Sequence, residues 1–506
     1  MKIVTVSQMK ELEKCSDENG VSYLMLMKNA GAVLGKWIEK FMCDNMCSRA
    51  VLLSGSGNNG GDCFIAAQYL KSIGKDVSVA LVCGVPRTET AVSAFSLMDG
   101  VTVLTHYEDI KKAVMEAGVI VDGVFGTGFH GKLDSSIASL FSMNSDAFRI
   151  AVDVPSGGNA ANGKVSEGCF RADVTITFGF KKFGMTQQPL KEYCGKTIVS
   201  DIGIPERCTD VYPVIIEPGF SYIPALLKKR TIDSHKGTYG TLVSVTGSRY
   251  MPGAAFLSGK SALRSGLGLL KQCMIPENIL PAAAAFPEPV YIPMKTDENG
   301  CYTEDNYSEI IKQTEKSSAL LIGCGLGTSE CAANLVKKLI ENANCPVILD
   351  ADGINCIKDC TEIIDKAQAG IILTPHPAEM ARLMGMSTSE IQDDRYGACM
   401  KFLELHPNAV VVLKGAGTIT AGRGSLYVNN TGNPGMSTGG SGDVLAGIIA
   451  SFAAQGISLQ ASAVLGVWIH GRAGDLAAEK YSMHSLLPED ITDSLYKVFS
   501  EAENMW

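Results

Sequence analysis

The stretch Leu52-Leu53-Ser54-Gly55-Ser56-Gly57-Asn58-Asn59-Gly60-Gly61-Asp62 runs from an apolar segment through a glycine-rich bend into a run with helical spacing. Glycine accepts positive φ and lets backbone amides approach a ligand. The helix that follows presents its N-terminus to anions. The reading is one strand–loop–helix unit of a parallel α/β sheet, with a ligand beyond the carboxyl end of the strand. A tight turn capped by Asp62 explains the same residues, and the spacing is not that of a G-x-G-x-x-G fingerprint.

Working outward, β-branched runs recur at residues 50–53, 77–82, 119–121, 150–154 and 174–178, with helical spacing over 64–73 and 110–116. This alternation predicts βαβ units and a mainly parallel sheet between helices. A weakly patterned, proline-containing stretch over about 205–230 reads as a linker, and Lys228-Lys229-Arg230 as a solvated run. A second α/β pattern begins at 241–245 and continues through 319–322, 347–349, 370–373 and 409–413 into a helix-rich tail. The expected fold is α/β in two domains, residues 1–215 and 216–506.

The chain has 506 residues and a net charge of -9, with 46% apolar and 19% charged residues. Length and composition fit several packed cores and exclude intrinsic disorder. The acidic balance argues against nucleic acid as a partner. No apolar run reaches the roughly 18 residues of a membrane span, and the charged N-terminus leaves no room for a signal-peptide core. The 16 cysteines form no C-x-x-C pair and read as reduced thiols of a cytoplasmic protein. Only seven histidines are present, without an H-x-x-x-H pair, so no zinc site is expected.

Two further strand ends carry chemistry in the first half. One is Asp122-Gly123-Val124-Phe125-Gly126-Thr127-Gly128-Phe129-His130-Gly131-Lys132, the other Asp153-Val154-Pro155-Ser156-Gly157. Taken singly, Asp122 and Asp153 read as loop caps. Together with Asp62 they direct three carboxylates toward one crevice, which is costly unless a cation or a proton is shared. These segments, with the DVTITFGFKKFG run at 173–184, resemble the NAD(P)H-hydrate epimerase family over roughly residues 1–205. The resemblance implies a Rossmann-like domain that interconverts the R and S hydrates of NADH and NADPH. It implies hydrate contacts from Asn58, Asn59, Gly60, Gly61 and Asp62, and from Gly126, Thr127, Gly128, Phe129, His130, Gly131 and Lys132. It also implies a potassium ion near Asn59, Asp122 and Ser156, and Asp153 in the site. Chemically, Asp153 is expected to protonate the leaving oxygen.

In the second half, Asn433-Pro434-Gly435-Met436-Ser437-Thr438-Gly439-Gly440-Ser441-Gly442-Asp443 precedes an apolar helical run. Small residues let successive N–H groups cup a developing phosphate charge at a helix N-terminus. Asp443 in the first turn is placed to accept a hydroxyl proton. A glycine-rich cap is the plain alternative, and no G-K-[ST] follows as a P-loop would require. Further glycine-lined strand ends are GCGLG at 323–327 and KGAGT at 414–418, and TPHPAE occupies 374–379. The arrangement resembles the ribokinase-like superfamily, and more narrowly the NAD(P)H-hydrate dehydratase family, over about residues 230–506. SHKGTYG at 234–240, PGAA at 252–255, ALRSGLG at 262–268, DADGIN at 350–355 and HPAEMARL at 376–383 carry it. Cys324 stands where that family commonly has proline.

The resemblance implies dehydration of the S hydrate driven by ADP, or by ATP, with Mg2+. Asp443 would be the base. Gly253, Ala254, Gly325 and His376 would line the hydrate side, and Lys414, Gly415, Ala416, Gly417, Thr418 and Gly442 the nucleotide side. Glu379 would order magnesium through water. The expected partners are the hydrated cofactors as small-molecule substrates, without membrane or nucleic acid, in a homo-oligomer. Two other readings are a vitamin-alcohol kinase with a regulatory module, and a dinucleotide-binding module fused to one kinase-like domain.

Overall fold

The computed structural model describes all residues except Ser145, Tyr212, Asn299 and Trp506. The chain divides into two compact units, Lys2–Ile215 and Ile216–Trp506, the latter with Met1.

The first unit is built on seven parallel strands in the order Thr102–Leu104, Asp76–Leu81, Arg49–Ser54, Val119–Gly123, Phe148–Val152, Val174–Phe178, Lys196–Ser200. Alternate residues of the central strands face opposite ways. Leu52, Val79, Val121 and Val152 pack with helices Tyr23–Asp44 and Asn58–Ser72. Val51, Leu53, Ala80 and Ile120 pack with helices Tyr107–Glu116 and Ser135–Ser142. Burial on both faces explains the continuous apolar runs in the sequence. The outer strands Thr102–Leu104 and Lys196–Ser200 are partly exposed and lack such runs, so periodicity alone does not reveal them. The strand order reverses between Arg49–Ser54 and Val119–Gly123, which opens a crevice at their carboxyl ends.

Two expectations are corrected. Cys15 and Cys208 form a disulfide across 193 residues, so not all cysteines are thiols. Their pairing depends on tertiary contact, and spacing gives no sign of it. The stretch read as a linker is also structured: Ile223 is buried and packs with Phe220, Tyr222, Leu226 and Leu227 into a core of the second unit.

The second unit has strands in the order Val290–Pro293, Leu269–Met274, Thr241–Val245, Ala319–Ile322, Val347–Leu349, Ile371–Leu373, Ala409–Leu413, all parallel, extended by the antiparallel pair Ile419–Gly422 and Ser425–Val428. Its order reverses between Thr241–Val245 and Ala319–Ile322. Helix Ser441–Ala454 is buried along its whole length except at Gly442 and Asp443. Gly447 lets it approach helix Pro252–Arg264, because a Cβ there would lie 2.1 Å from the Ser258 carbonyl oxygen. Among the described residues no helix is long and apolar enough to cross a membrane.

Candidate active sites

In the first unit a cavity of about 470 Å³ lies at the strand-order reversal. Asn58, Asn59, Asp62, Gly126, Thr127, Gly128, Phe129 and Asp153 line it, joined by Glu13 and Lys182. Gly60 and Gly61 do not line it. A Cβ on Gly60 would lie 2.1 Å from the Gly55 carbonyl oxygen, and one on Gly61 2.6 Å from Met27, so both serve close packing. His130, Gly131 and Lys132 are exposed beyond the lining residues. Asp62 is not a cap. The helix begins after Gly57 without a side-chain cap, and Asp62 faces the cavity one turn further along.

Asp153 adopts φ 64, a left-handed conformation that is costly for a residue with a Cβ. Its carboxylate is held by the Lys182 ammonium, by Thr177 Oγ1 at 2.9 Å and by the Phe178 amide at 3.2 Å. Lys182 is itself buried and also donates to Thr177 Oγ1 and to the Phe178 carbonyl, each at 3.0 Å. Three carboxyls, Glu13, Asp62 and Asp153, thus surround one ammonium. Burial, followed by the charges of Asp153 and Glu13, pushes the Asp62 pKa well above its usual value. Burial and then Asp153 also raise that of Glu13. Both shifts favour the protonated carboxyl over the charged one.

Asp122 does not reach the cavity. It is fully buried and accepts from the Ser156 amide at 2.7 Å, Ser156 Oγ at 2.6 Å and the Val124 amide at 3.2 Å. Burial lifts its pKa to about 6 against those hydrogen bonds. Asn59 Nδ2 gathers the carbonyls of Phe125 at 2.9 Å and Val152 at 3.1 Å, and Ser156 Oγ lies 3.1 Å from the Phe125 oxygen. A buried carboxylate with only neutral hydrogen-bond donors, beside backbone carbonyl oxygens, is the kind of oxygen set a hard cation takes.

In the second unit, loops from several strand ends meet at Asp443. Cys324, Asp350 and Asp443 offer ligand atoms within 4.8 Å of one another. Burial, then Asp350, raises the Asp443 pKa to about 7. Lys414 turns inward: Nζ bonds Asp350 Oδ1 at 2.8 Å, lies 3.8 Å from Glu379 Oε2, and would lie 3.5 Å from a Cβ on Gly442. Thr374 Oγ1 donates to the same Asp350 oxygen at 2.6 Å. His376 and Glu379 close a capping box on helix Pro377–Met384: His376 Nδ1 accepts the Ala378 and Glu379 amides, and Glu379 Oε2 accepts the His376 amide at 2.7 Å. Gly325 adopts φ 62, and a Cβ on it would lie 2.7 Å from that of Ala254, so this turn and the start of helix Pro252–Arg264, with Gly253, are adjacent. Gly415 and Thr418 close a turn through Thr418 Oγ1, with Ala416 and Gly417 at its tip.

Sequence reasoning missed several supports. Arg395 is buried and donates to the carbonyls of Leu413 and Lys414, which fixes the start of the 414–418 loop. His470 Nε2 lies 3.4 Å from Ser441 Oγ, and Asp475 accepts the Gly432 amide and Asn433 Nδ2, each at 3.0 Å. Lys182 was at least visible as one of two lysines beside a buried strand run.

Fold and sites define two α/β units with switch-point sites, the second ribokinase-like. Residues 242–497 match a family model described as NAD(P)H-hydrate dehydratase, and residues 23–184 match one described as YjeF-related protein N-terminus. The chain is 33% identical to the bifunctional NAD(P)H-hydrate repair enzyme of Moorella thermoacetica, over 99% of this chain and 97% of that protein. It is 34% identical to the enzyme of the same name from Thermofilum pendens, over 98% and 96%. The crystal structure of a ribokinase-like superfamily protein from Enterococcus faecalis is similar at 25% identity and a TM-score of 0.50, covering 57% of this chain and 96% of that one. The chain belongs to the bifunctional NAD(P)H-hydrate repair enzyme family.

Proposed function

We propose that the first unit epimerises the R and S hydrates of NADH and NADPH, and that the second dehydrates the S hydrate with ADP as phosphoryl donor, ATP being the alternative. The observation that carries this reading is the pair of switch-point sites in one chain, one with Asp62 beside Asp153 and Lys182, the other with Asp443 beside Asp350 and Lys414.

In the cavity of the first unit, protonated Asp62 gives its proton to the hydroxyl on C6 of the hydrate. The C–O bond breaks, water forms, and the ring carries a positive charge beside its nitrogen. The Asp153 carboxylate, oriented by Lys182 and Thr177, faces that cation. Water then returns to either face and Asp62 recovers its proton. The acid here is Asp62 rather than Asp153, the residue expected from sequence, because Asp153 is engaged by Lys182, Thr177 and Phe178. Gly126, Thr127 and Gly128 contact the dinucleotide at the loop after strand Val119–Gly123. Potassium, held by Asn59, Asp122 and Ser156, would neutralise the buried carboxylate behind the cavity. Epimerisation is expected to depend on K+ in the wild type and to lose that dependence in Asp122→Asn. An equal K+ response in both would remove Asp122 from the ion site.

In the second unit Asp443 takes the proton of the C6 hydroxyl, whose oxygen attacks the terminal phosphorus of the nucleotide. The glycine-rich turn before helix Ser441–Ala454 stabilises the charge on the transferring group. Phosphate then leaves C6 with the bonding pair, and loss of a C5 proton restores the dihydronicotinamide. The buried Glu379 carboxylate fits an outer position on hydrated magnesium, which when bound offsets phosphate charge. Lys414 holds Asp350 and Glu379 in place from beneath the nucleotide side. A base must be deprotonated to act, so kcat/KM for dehydration is expected to fall as pH drops below about 7, with the slope of one proton. A flat profile from pH about 5.5 to 8.5 would contradict Asp443 as the base.

A further inference from the structure

Cys324 takes no part in the phosphoryl chemistry above, yet its thiol lies inside that site. Its Sγ donates to Asp350 Oδ2 at 3.5 Å. Cys324 Sγ and one carboxylate oxygen each from Asp350 and Asp443 lie within 4.8 Å of one another, the one such cluster among the described residues. The two Asp350 oxygens divide their work: Oδ1 receives Thr374 and Lys414, and Oδ2 faces the thiol. Cys324 and Asp350 are buried, while Asp443 is half-buried and gives the cluster an open side. The backbone is fixed on both sides, because the Gly247 amide donates to the Cys324 carbonyl at 2.7 Å and the Asp350 amide to the Ile322 carbonyl at 3.1 Å.

Zinc binds thiolate at about 2.3 Å and carboxylate at about 2.0–2.2 Å, which sets ligand atoms roughly 3.5 Å apart in a tetrahedron. Cys324 Sγ and Asp350 Oδ2 already stand at 3.5 Å, and binding would draw Asp443 in from within 4.8 Å. A thiolate selects borderline-soft cations over magnesium, which takes oxygen ligands and sheds water reluctantly. We propose that Cys324, Asp350 and Asp443 form a binding site for a thiophilic divalent cation of the zinc class, and that its occupation blocks dehydration by withdrawing Asp443 from the substrate hydroxyl. The thiol proton is released to solvent on binding. The fourth position faces the open side. The blocking effect rests on Asp443 as base, as proposed above; the binding does not.

The test uses the full-length, metal-free protein without nucleotide, titrated with Co2+ as a spectroscopic probe and then with Zn2+. The wild type is expected to bind one cobalt with a sulfur-to-cobalt charge-transfer band that Zn2+ bleaches and millimolar Mg2+ leaves. Cys324→Ala is expected to lose the band. Asp443→Asn, which keeps the thiol, is expected to bind Co2+ about tenfold or more weakly. Retention of the band in Cys324→Ala, unchanged affinity in Asp443→Asn, or displacement by Mg2+ would each overturn the site. Zn2+ is further expected to stop S-hydrate dehydration in the wild type and to require about tenfold more for Cys324→Ala. Equal inhibition of the two, with the cobalt results as expected, would overturn the blocking effect alone.

Discussion

Asp443→Asn is expected to lower dehydration of the S hydrate by about 100–10,000-fold while the fold and the epimerisation rate stay as in the wild type. Asparagine keeps the shape of the side chain and remains compatible with the first turn of helix Ser441–Ala454. It cannot accept the proton of the substrate hydroxyl. Asp350 and Cys324 are close by, but Asp350 Oδ1 accepts from Lys414 and Thr374 and Oδ2 from the Cys324 thiol, so Asp350 does not replace the base. Single-turnover dehydration of purified S hydrate measures the effect directly. A rate within a few-fold of the wild type would reject Asp443, and with it the phosphorylation route.

Lys182→Met is expected to remove epimerisation and to destabilise the first unit. The buried ammonium is the cation facing Asp153, Asp62 and Glu13. Removing one partner of a buried pair costs about 3–5 kcal/mol, because the remaining charge is left uncompensated. Asp153 then loses the ammonium that holds it toward the cationic ring. Asp153→Asn is the milder companion, since it leaves Thr177 and Phe178 partners to bond. In both variants, dehydration of pure S hydrate should proceed normally while the R fraction of a mixture is stranded. Thermal unfolding separates the stability cost from the catalytic one. Conversion of the R fraction at the wild-type rate by folded Asp153→Asn would remove the ion pair from the mechanism.

What was legible in the sequence was local. A strand–glycine–helix junction such as 52–62 places its loop at the carboxyl end of the strand, because chain direction alone fixes that end, and the glycine-rich run 433–443 marks the start of its helix. Buried central strands announce themselves as apolar runs; partly exposed strands such as Thr102–Leu104 do not. What was illegible depends on partners far apart in the chain. Asp62 looks like a cap from its neighbours and becomes a cavity acid because the fold buries it and brings Asp153 and Glu13 beside it. Asp122 looks equivalent to Asp153, yet Ser156 locks it behind the wall. Lys414 reads as a lining residue of the nucleotide side, and its tie to Asp350, 64 residues earlier, has no sign in the sequence. Arg395, His470 and the Cys15–Cys208 bridge support loops from elements that share no motif with them.

The most direct test of the account is recovery of NADH from an equilibrated mixture of R and S hydrate, with K+, Mg2+ and either ADP or ATP. The full chain is expected to convert both fractions to NADH completely, at a rate above spontaneous epimerisation, and the more effective nucleotide identifies the donor. Asp153→Asn should stop at the S fraction, and Asp443→Asn should yield no NADH while still equilibrating the epimers. If the wild type leaves the R fraction untouched, or releases a stable phosphorylated product in place of NADH, two coupled repair sites in one chain are contradicted.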